Sequence, residues 1–291
     1  MGQDIATAMP SAGPIDAAAA RVLAMAAQSE GGPPVAAMAR DFAPGHRIPP
    51  HRHRRAQLVY AATGVLRVST PAGTWITPPQ RAVWMPAGIE HQIDMVGAVA
   101  MRTLYLRAPA AAAMPRECAV VEVRPLLREL ILAMVEIDRS GPGDAPPARR
   151  RRRLLTALIR DELRTVPVVP LRIPMPADPR LSRLCAAIMA EPAAERSLEE
   201  WGAEVGASAR TLARLARQEL GMSLGAWRQQ VRLAEAVAQM ATGVPVARAA
   251  GRAGYASASA FSAMFRRMLG TTPKDYLREG GGSGEPAAPV Q

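Results

Sequence analysis

Lysine is almost missing from this 291-residue chain: a single lysine, Lys274, stands among 36 basic side chains, and the rest are arginine. Acidic residues are also in deficit, at 25, so the formal net charge is +11. Cysteine is scarce. Cys118 and Cys185 form no CxxC pair and no disulfide framework, which points to a reducing compartment and so to the cytoplasm. Aromatic residues make up 4% of the chain. No apolar run approaches the roughly 20 residues that span a bilayer. The most apolar early stretch, Ala17 to Ala27, is broken by Arg21, and residues 1–33 lack the basic start of a signal peptide and read as a flexible arm. A membrane partner is therefore not expected. What is plentiful is apolar side chain, at 49%, which excludes wholesale disorder. The length favours two domains over one. A charge excess of this size favours a polyanionic partner, although net charge alone does not separate nucleic acid from other anions.

The charge is unevenly spread. Residues 1–148 carry a net +2, residues 149–177 a net +6 and residues 178–291 a net +3. Within the last segment, residues 208–278 carry +8. Pro-rich stretches at Gly141 to Pro147 and Val166 to Pro179 read as linkers.

The basic C-terminal third contains two similar units. Ser197-Leu-Glu-Glu200 is a capping box, with Leu198, Trp201 and Val205 on one helical face behind it. Gly206 supplies a turn and Ser208 caps a second helix. There Leu212, Leu215 and Leu220 face inward while Arg210, Arg214 and Arg217 recur on another side, and Gly221 stops it. Helix, tight turn, helix with a basic outer stripe is the helix-turn-helix pattern. A long helix over Leu224 to Thr242 follows. The pattern then repeats, with a short helix over Val244 to Arg252, a turn at Gly254-Tyr255, a cap at Ser257 and an apolar stripe of Phe261, Met264, Phe265 and Met268. Thr272-Pro273-Lys274-Asp275 opens a last helix. Some 19 residues of connecting helix span roughly 28 Å, close to the ~34 Å between successive major-groove faces.

The ordered run Ser208 … Arg214 … Gly221 … Gly254-Tyr255-Ala-Ser-Ala-Ser-Ala-Phe261 … Phe265 … Gly270-Thr-Thr-Pro273 … Tyr276 resembles the DNA-binding domain of the AraC/XylS transcription regulators over residues 178–280. The resemblance implies that the outer faces of both recognition helices read DNA. On the first these are Ser208, Arg210, Thr211, Ala213, Arg214 and Arg217. On the second they are Ser257, Ala258, Ser259, Ser262 and Ala263, with Arg266, Arg267 and Lys274 gripping phosphate. Arg210 and Arg214 are the expected base contacts, since a guanidinium can meet a guanine edge bidentately.

Residues 34–118 read differently. Short β-prone runs at Gln57–Tyr60, Gly64–Thr70, Thr74–Thr77, Ala82–Met85, Gln92–Val96 and Met101–Leu106 alternate with Gly and Pro turns, which predicts a small antiparallel barrel or jelly roll. His51 and His53 lie two apart, so a strand would put both on one face with Gln57, and Pro86-Ala-Gly-Ile-Glu-His91 adds a third histidine. This resembles the cupin fold over about residues 45–107. The resemblance implies a pocket at His51, His53, Gln57 and His91, which in metal-binding relatives of that fold holds a divalent ion; zinc, nickel or iron suits imidazole. Gln57 stands where a carboxylate is expected, which weakens such a site. The alternative is a basic surface strand at His51–Arg55 and a metal-free ligand pocket.

Between the two, Val121 to Ile137 predicts an amphipathic helix that packs on the barrel or forms a dimer seam. Arg149 to Arg153 opens another, running to about Leu163. Five consecutive arginines read as a solvated segment, with phosphate contact as the alternative.

These observations predict a multidomain α+β chain: an arm (1–33), a cupin-like effector domain (34–118), a helical linker and possible dimerisation region (119–177), a tandem helix-turn-helix domain (178–280) and a flexible tail (281–291). The expected function is sequence-specific regulation of transcription. Its partners would be promoter DNA, a small-molecule or metal effector, a second copy of the chain and RNA polymerase. No catalysis is expected. The competing reading is a metal-dependent cupin oxygenase or isomerase carrying a DNA-binding appendage.

Overall fold

The computed structural model describes residues 32–78, 80–140, 146–169 and 172–280. The expected tail and nearly all of the expected arm lie outside the described residues, as does most of the Gly141 to Pro147 linker.

Strands β1 (Val35–Phe42), β2 (Arg47–His51), β3 (Ala56–Thr70), β4 (Gly73–Thr77), β5 (Arg81–Met85), β6 (His91–Leu106), β7 (Ala119–Glu122), β8 (Val168–Val169) and β9 (Arg172–Pro174) form one antiparallel sheet. Its main path is β1-β6-β3-β5-β7-β8, with β2 on β6 and β4 between β3 and β9. The central strands are buried on both faces, so they read as continuous apolar runs instead of alternating ones. Successive residues of β3 serve two different cores. Leu58 and Tyr60 join a cluster with the helices outside, while Val59 and Ala61 join an interior cluster to which each of β1 to β7 contributes. That shared interior is what makes the sheet a small barrel.

Two pairs of expected short strands are each one long strand. Gln57–Tyr60 and Gly64–Thr70 fuse into β3, and Gln92–Val96 and Met101–Leu106 fuse into β6. Gly64 is a bulge and not a turn. Its φ is +78°, and a Cβ there would stand 2.2 Å from the Ala98 carbonyl oxygen, so glycine lets two strands cross where a larger residue could not.

The sheet also continues past residue 118. Val121 and Glu122, read as helical, are the end of β7, and α2 begins at Pro125, which fixes φ at a first helical position. A short α1 (Ala108–Ala111) precedes β7. Helix α2 (Pro125–Arg139) buries Leu127, Leu130, Ile131, Met134 and Val135 against the barrel's outer face. It therefore packs on the barrel and does not offer that face as a seam. Helix α3 (Pro146–Arg164) packs on α2 through Ile159 and Leu163. Asp138 joins three elements, accepting from the Ala37 N–H at 2.6 Å and pairing with Arg152. One of the five arginines is thus bound within the fold. The stretch from Val166, read as a linker, supplies β8 and β9.

The C-terminal domain is all helix: α4 (Pro179–Ala190), α5 (Leu198–Val205), α6 (Ala209–Leu215) with a π turn over Ala216–Leu220, α7 (Leu224–Ala241), α8 (Val246–Arg252), α9 (Ala258–Leu269) and α10 (Pro273–Gly280). The capping box forms between Ser197 and Glu200, and Gly206 ends α5 in the left-handed region at φ +73°. The first unit has its own core around Trp201, Leu212, Leu215, Leu220 and Trp227, and the second around Phe261, Met264 and Phe265. Both lean on α7. The first core also takes in Val65, Ile76 and Ile173, so the barrel rests directly on this domain.

Candidate functional site

The helix-turn-helix faces are built as capped helices with their cores turned inward. Ser208 accepts the Thr211 N–H at 3.2 Å and Ser257 accepts the Ala260 N–H at 3.1 Å, so the two serines fix the starts of α6 and α9. On α6, Arg210 and Arg214 are exposed while Leu212 and Leu215 are buried. Arg214 donates to the Gln218 side-chain oxygen at 3.0 Å, which holds it along the helix. Thr211 and Ala213 are half-buried beside it, and Arg217 lies exposed in the π turn. On α9, Ala258, Ser259, Ala263, Arg266 and Arg267 are exposed. Ser262 is half-buried and its hydroxyl donates to the Ala258 carbonyl at 2.8 Å. Arg267 reaches Gln229 of α7 at 3.3 Å, tying the second unit to the connecting helix. Every predicted contact residue lies on α6, on α9, or in the cap or turn adjoining it, except Lys274, which is exposed in the first turn of α10. The chemistry is unequal, since α6 offers guanidinium groups and α9 offers mostly methyl and hydroxyl groups at its N-terminal half.

The histidines converge. His51 ends β2, His91 opens β6 opposite it, and His53 sits two residues beyond β2, outside the strand in which it was expected. Its ring still meets the others because the loop folds back, the Gly88 N–H donating to the His53 carbonyl at 2.7 Å. Ring centroids lie 4.2 Å apart for His51 and His91, 4.8 Å for His51 and His53 and 5.2 Å for His53 and His91. One nitrogen from each falls within 4.8 Å of the others. The Nδ1 of His51 faces the Pro49 carbonyl at 2.7 Å and that of His91 faces the Ile89 carbonyl at 3.0 Å. Those carbonyls keep the proton on Nδ1 and leave each Nε2 with its lone pair free. Both Nε2 atoms, and both ring nitrogens of His53, are buried without a hydrogen-bond partner among the described residues. Burial is the main force on all three. It lowers His51, and with repulsion from neighbouring rings it pushes His53 down to about 3 and His91 to about 4, so the cluster is uncharged at neutral pH.

Gln57 is fully interior but turned to another partner. Its amide donates to the Tyr105 hydroxyl at 3.4 Å, and its Oε1 is left unpaired. Tyr105 pairs with Gln57 across β3 and β6 and lies 5.2 Å from the His53 ring. It is the member of this cluster that sequence reasoning missed, since only the strand register brings it there. No carboxylate joins the group among the described residues; Glu90 points outward to Arg52.

The barrel and the DNA-binding domain touch through polar contacts as well. Arg67 of β3 donates to Glu235 of α7 at 3.1 Å, and the Arg81 guanidinium stands 5.9 Å from the Tyr276 ring centre. β9 pairs with β4, and the carbonyl of its last residue, Pro174, accepts from the Trp227 indole at 2.7 Å.

Comparison with known proteins bears on both halves. Residues 36–163 match a family model described as an AraC-like ligand binding domain, and residues 201–279 match one described as a helix-turn-helix domain. The chain is 34% identical over 229 residues to the HTH-type transcriptional regulator NimR of Escherichia coli (strain K12), covering 79% of this chain and 82% of that one. It is 32% identical over 103 residues to the HTH-type transcriptional regulator RipA of Corynebacterium glutamicum, covering 35% of this chain and 31% of that one. Among solved structures it is similar to ToxT of Vibrio cholerae at 8% identity and a TM-score of 0.36, over 85% of this chain and 99% of that one. That last likeness is too distant to inform either site. On the strength of the relatives and the two matched domains, the chain belongs to the AraC-type transcription regulators, with an N-terminal ligand-binding domain and a C-terminal helix-turn-helix domain.

Proposed function

We propose that this regulator reads duplex DNA through the outer faces of α6 and α9, and that its effector is a first-row divalent metal held by His51, His53 and His91. The observation carrying the second part is the set of buried, unprotonated ring nitrogens aimed at one another with no partner among the described residues. An apolar pocket would leave them at a cost of roughly 1–3 kcal/mol each. Zinc, nickel and iron all accept imidazole donors, and a bound ion would act here as a structural ligand. The absence of a carboxylate from the cluster among the described residues, and the turning of Gln57 to Tyr105, fit a sensor better than an oxygenase or isomerase.

The same strands that frame the pocket lead to the DNA-binding domain. β6 opens at His91 and reaches Gly97, which packs close to Thr242 just past α7; β3 carries Gln57 and, further along, Arg67 on Glu235. Ordering the pocket would bias how α7 holds the two helix-turn-helix units, and so change operator affinity or polymerase contact. The two free cysteines, Cys185 buried and Cys118 half-buried, fit a cytoplasmic setting. Titration of zinc, nickel and ferrous ion into metal-free protein tests the site, followed by DNA binding with and without the ion. Stoichiometric binding lost in His91→Ala is the expected result. A pure chain that takes up none of the three ions would refute it.

A further inference from the structure

Helix α7 serves both helix-turn-helix units, yet their apolar cores stay apart on it. The first core takes Val231, Ala234 and Ala238, and the second takes Leu233, Val237 and Met240. Apolar contact has no direction, so packing alone leaves each unit room to rock on the helix. Arg232 supplies direction. Its Nε donates to the Pro192 carbonyl at 2.8 Å, and its Nη1 donates to the Gly254 carbonyl at 3.1 Å. Pro192 lies between α4 and α5, in the first unit, and Gly254 lies between α8 and α9, in the second. One guanidinium thus bonds to both.

The backbones of the two units also meet at this point. Gly254 has a φ of +80°, and a Cβ on it would stand 3.0 Å from the Ala193 Cα and 2.8 Å from the Arg232 Nη2. Glycine is what lets the turn approach so closely. Each carbonyl is tied onward to a recognition helix. Tyr255 sets its ring 5.2 Å from that of Phe261 in α9, and Ser257 caps α9 three residues after Gly254. On the first unit, the Ala194 N–H donates to the Glu191 carbonyl at 3.1 Å, closing a turn around Pro192, and Ser197 caps α5, which leads through Gly206 to α6. We propose that Arg232 is a positioning residue for DNA recognition: by bonding to both units it fixes α6 relative to α9, and so fixes the half-site spacing that the chain accepts. Both bonds use the guanidinium's fixed fork, which the compact ammonium of lysine does not reproduce although it keeps the charge. The consequence for DNA rests on the reading of α6 and α9 as two groove contacts.

Two measurements on the full chain, as wild type, Arg232→Lys and Arg232→Ala, test this, with far-ultraviolet circular dichroism to check folding. Arg232→Lys retains the charge and the aliphatic stem if the alanine variant does not fold. The first is the dipolar distance between spin labels at Ala203→Cys on α5 and Ala247→Cys on α8, both exposed sites, with Cys118→Ser in the background and Cys185 left buried. The wild type should give one narrow distance without DNA, and both variants a broadened or displaced one. The second is affinity for the footprinted upstream duplex with and without two base pairs inserted between the protected blocks, which turns one half-site by about 70°. The insertion should cost the wild type on the order of tenfold and the variants about threefold or less. A loss of general stability would weaken binding to both duplexes and leave their ratio unchanged. Variant distances as narrow and as long as the wild type's, or an insertion penalty equal to the wild type's, would overturn the assignment. A wild type that protects no paired blocks would refute the groove reading instead, and the label distances would still decide whether Arg232 holds the units together.

Discussion

His51, His53 and His91 hold their rings as free bases at neutral pH, because burial disfavours the imidazolium in each. The sign of the consequence is fixed. Their folded values lie below the ordinary 6.5, so between the two the unfolded chain binds more protons. Stability is whole above about pH 6.5 and drains away as the pH falls toward 4. Denaturant titrations across that range should show it, and His53→Gln should flatten the slope; a variant as acid-sensitive as the wild type would contradict the account. Gln57 gives a complementary test. Gln57→Glu places a carboxylate beside three neutral donors, so zinc affinity should rise on the order of tenfold while the metal-free chain loses stability. On the DNA side, Arg210→Ala and Arg214→Ala should each cost ~1–3 kcal/mol of specific binding and relax base preference. Arg266→Ala should leave preference unchanged and lower the salt slope by about one. Anisotropy titrations with operator and scrambled duplexes at several salt concentrations separate the two. At this scale the sequence was informative about histidines and arginines, whose chemistry declares itself. It was silent on Tyr105, which joins the histidine cluster only through its register with Gln57.

Among the elements, the helices were the most legible. Capping serines, left-handed glycines and apolar stripes mark α5 to α9 locally, and each helix supplies its own evidence. Strands depend on partners. β3 and β6 looked like four strands because Gly64 and Gly97 resemble turn residues, yet both glycines sit inside long strands. β8 and β9 lie in Pro-rich sequence whose pairing to β7 and β4 no local signal announces. The crossing at Gly64 has a direct test. Gly64→Ala puts a Cβ into the Ala98 carbonyl at a positive φ, and should destabilise the barrel by roughly 2–4 kcal/mol. A chemical-denaturation midpoint equal to that of the wild type would show that the strands part more easily than their geometry implies.

For the molecule as a whole, the excess charge has a place. Exposed arginines line α6 and α9, while the α3 run is bound internally through Arg152 and exposed at Arg149, Arg150, Arg151 and Arg153. The near absence of lysine has no structural explanation. Helix α7 packs with a helix-turn-helix unit at either end and with residues of the barrel along its side. Its 18 residues span about 27 Å, near the ~34 Å between successive major-groove faces, which is the spacing that the proposed reading of α6 and α9 as two groove contacts requires. Footprinting of the chain's own upstream region by hydroxyl radicals tests this most directly. Each protomer should protect two blocks centred about 10 base pairs apart, and Arg210→Ala with Arg214→Ala should remove one block while sparing the other. A single block for the intact chain, or equal loss of both in the variant, would contradict the reading of α6 and α9 as two separate contacts.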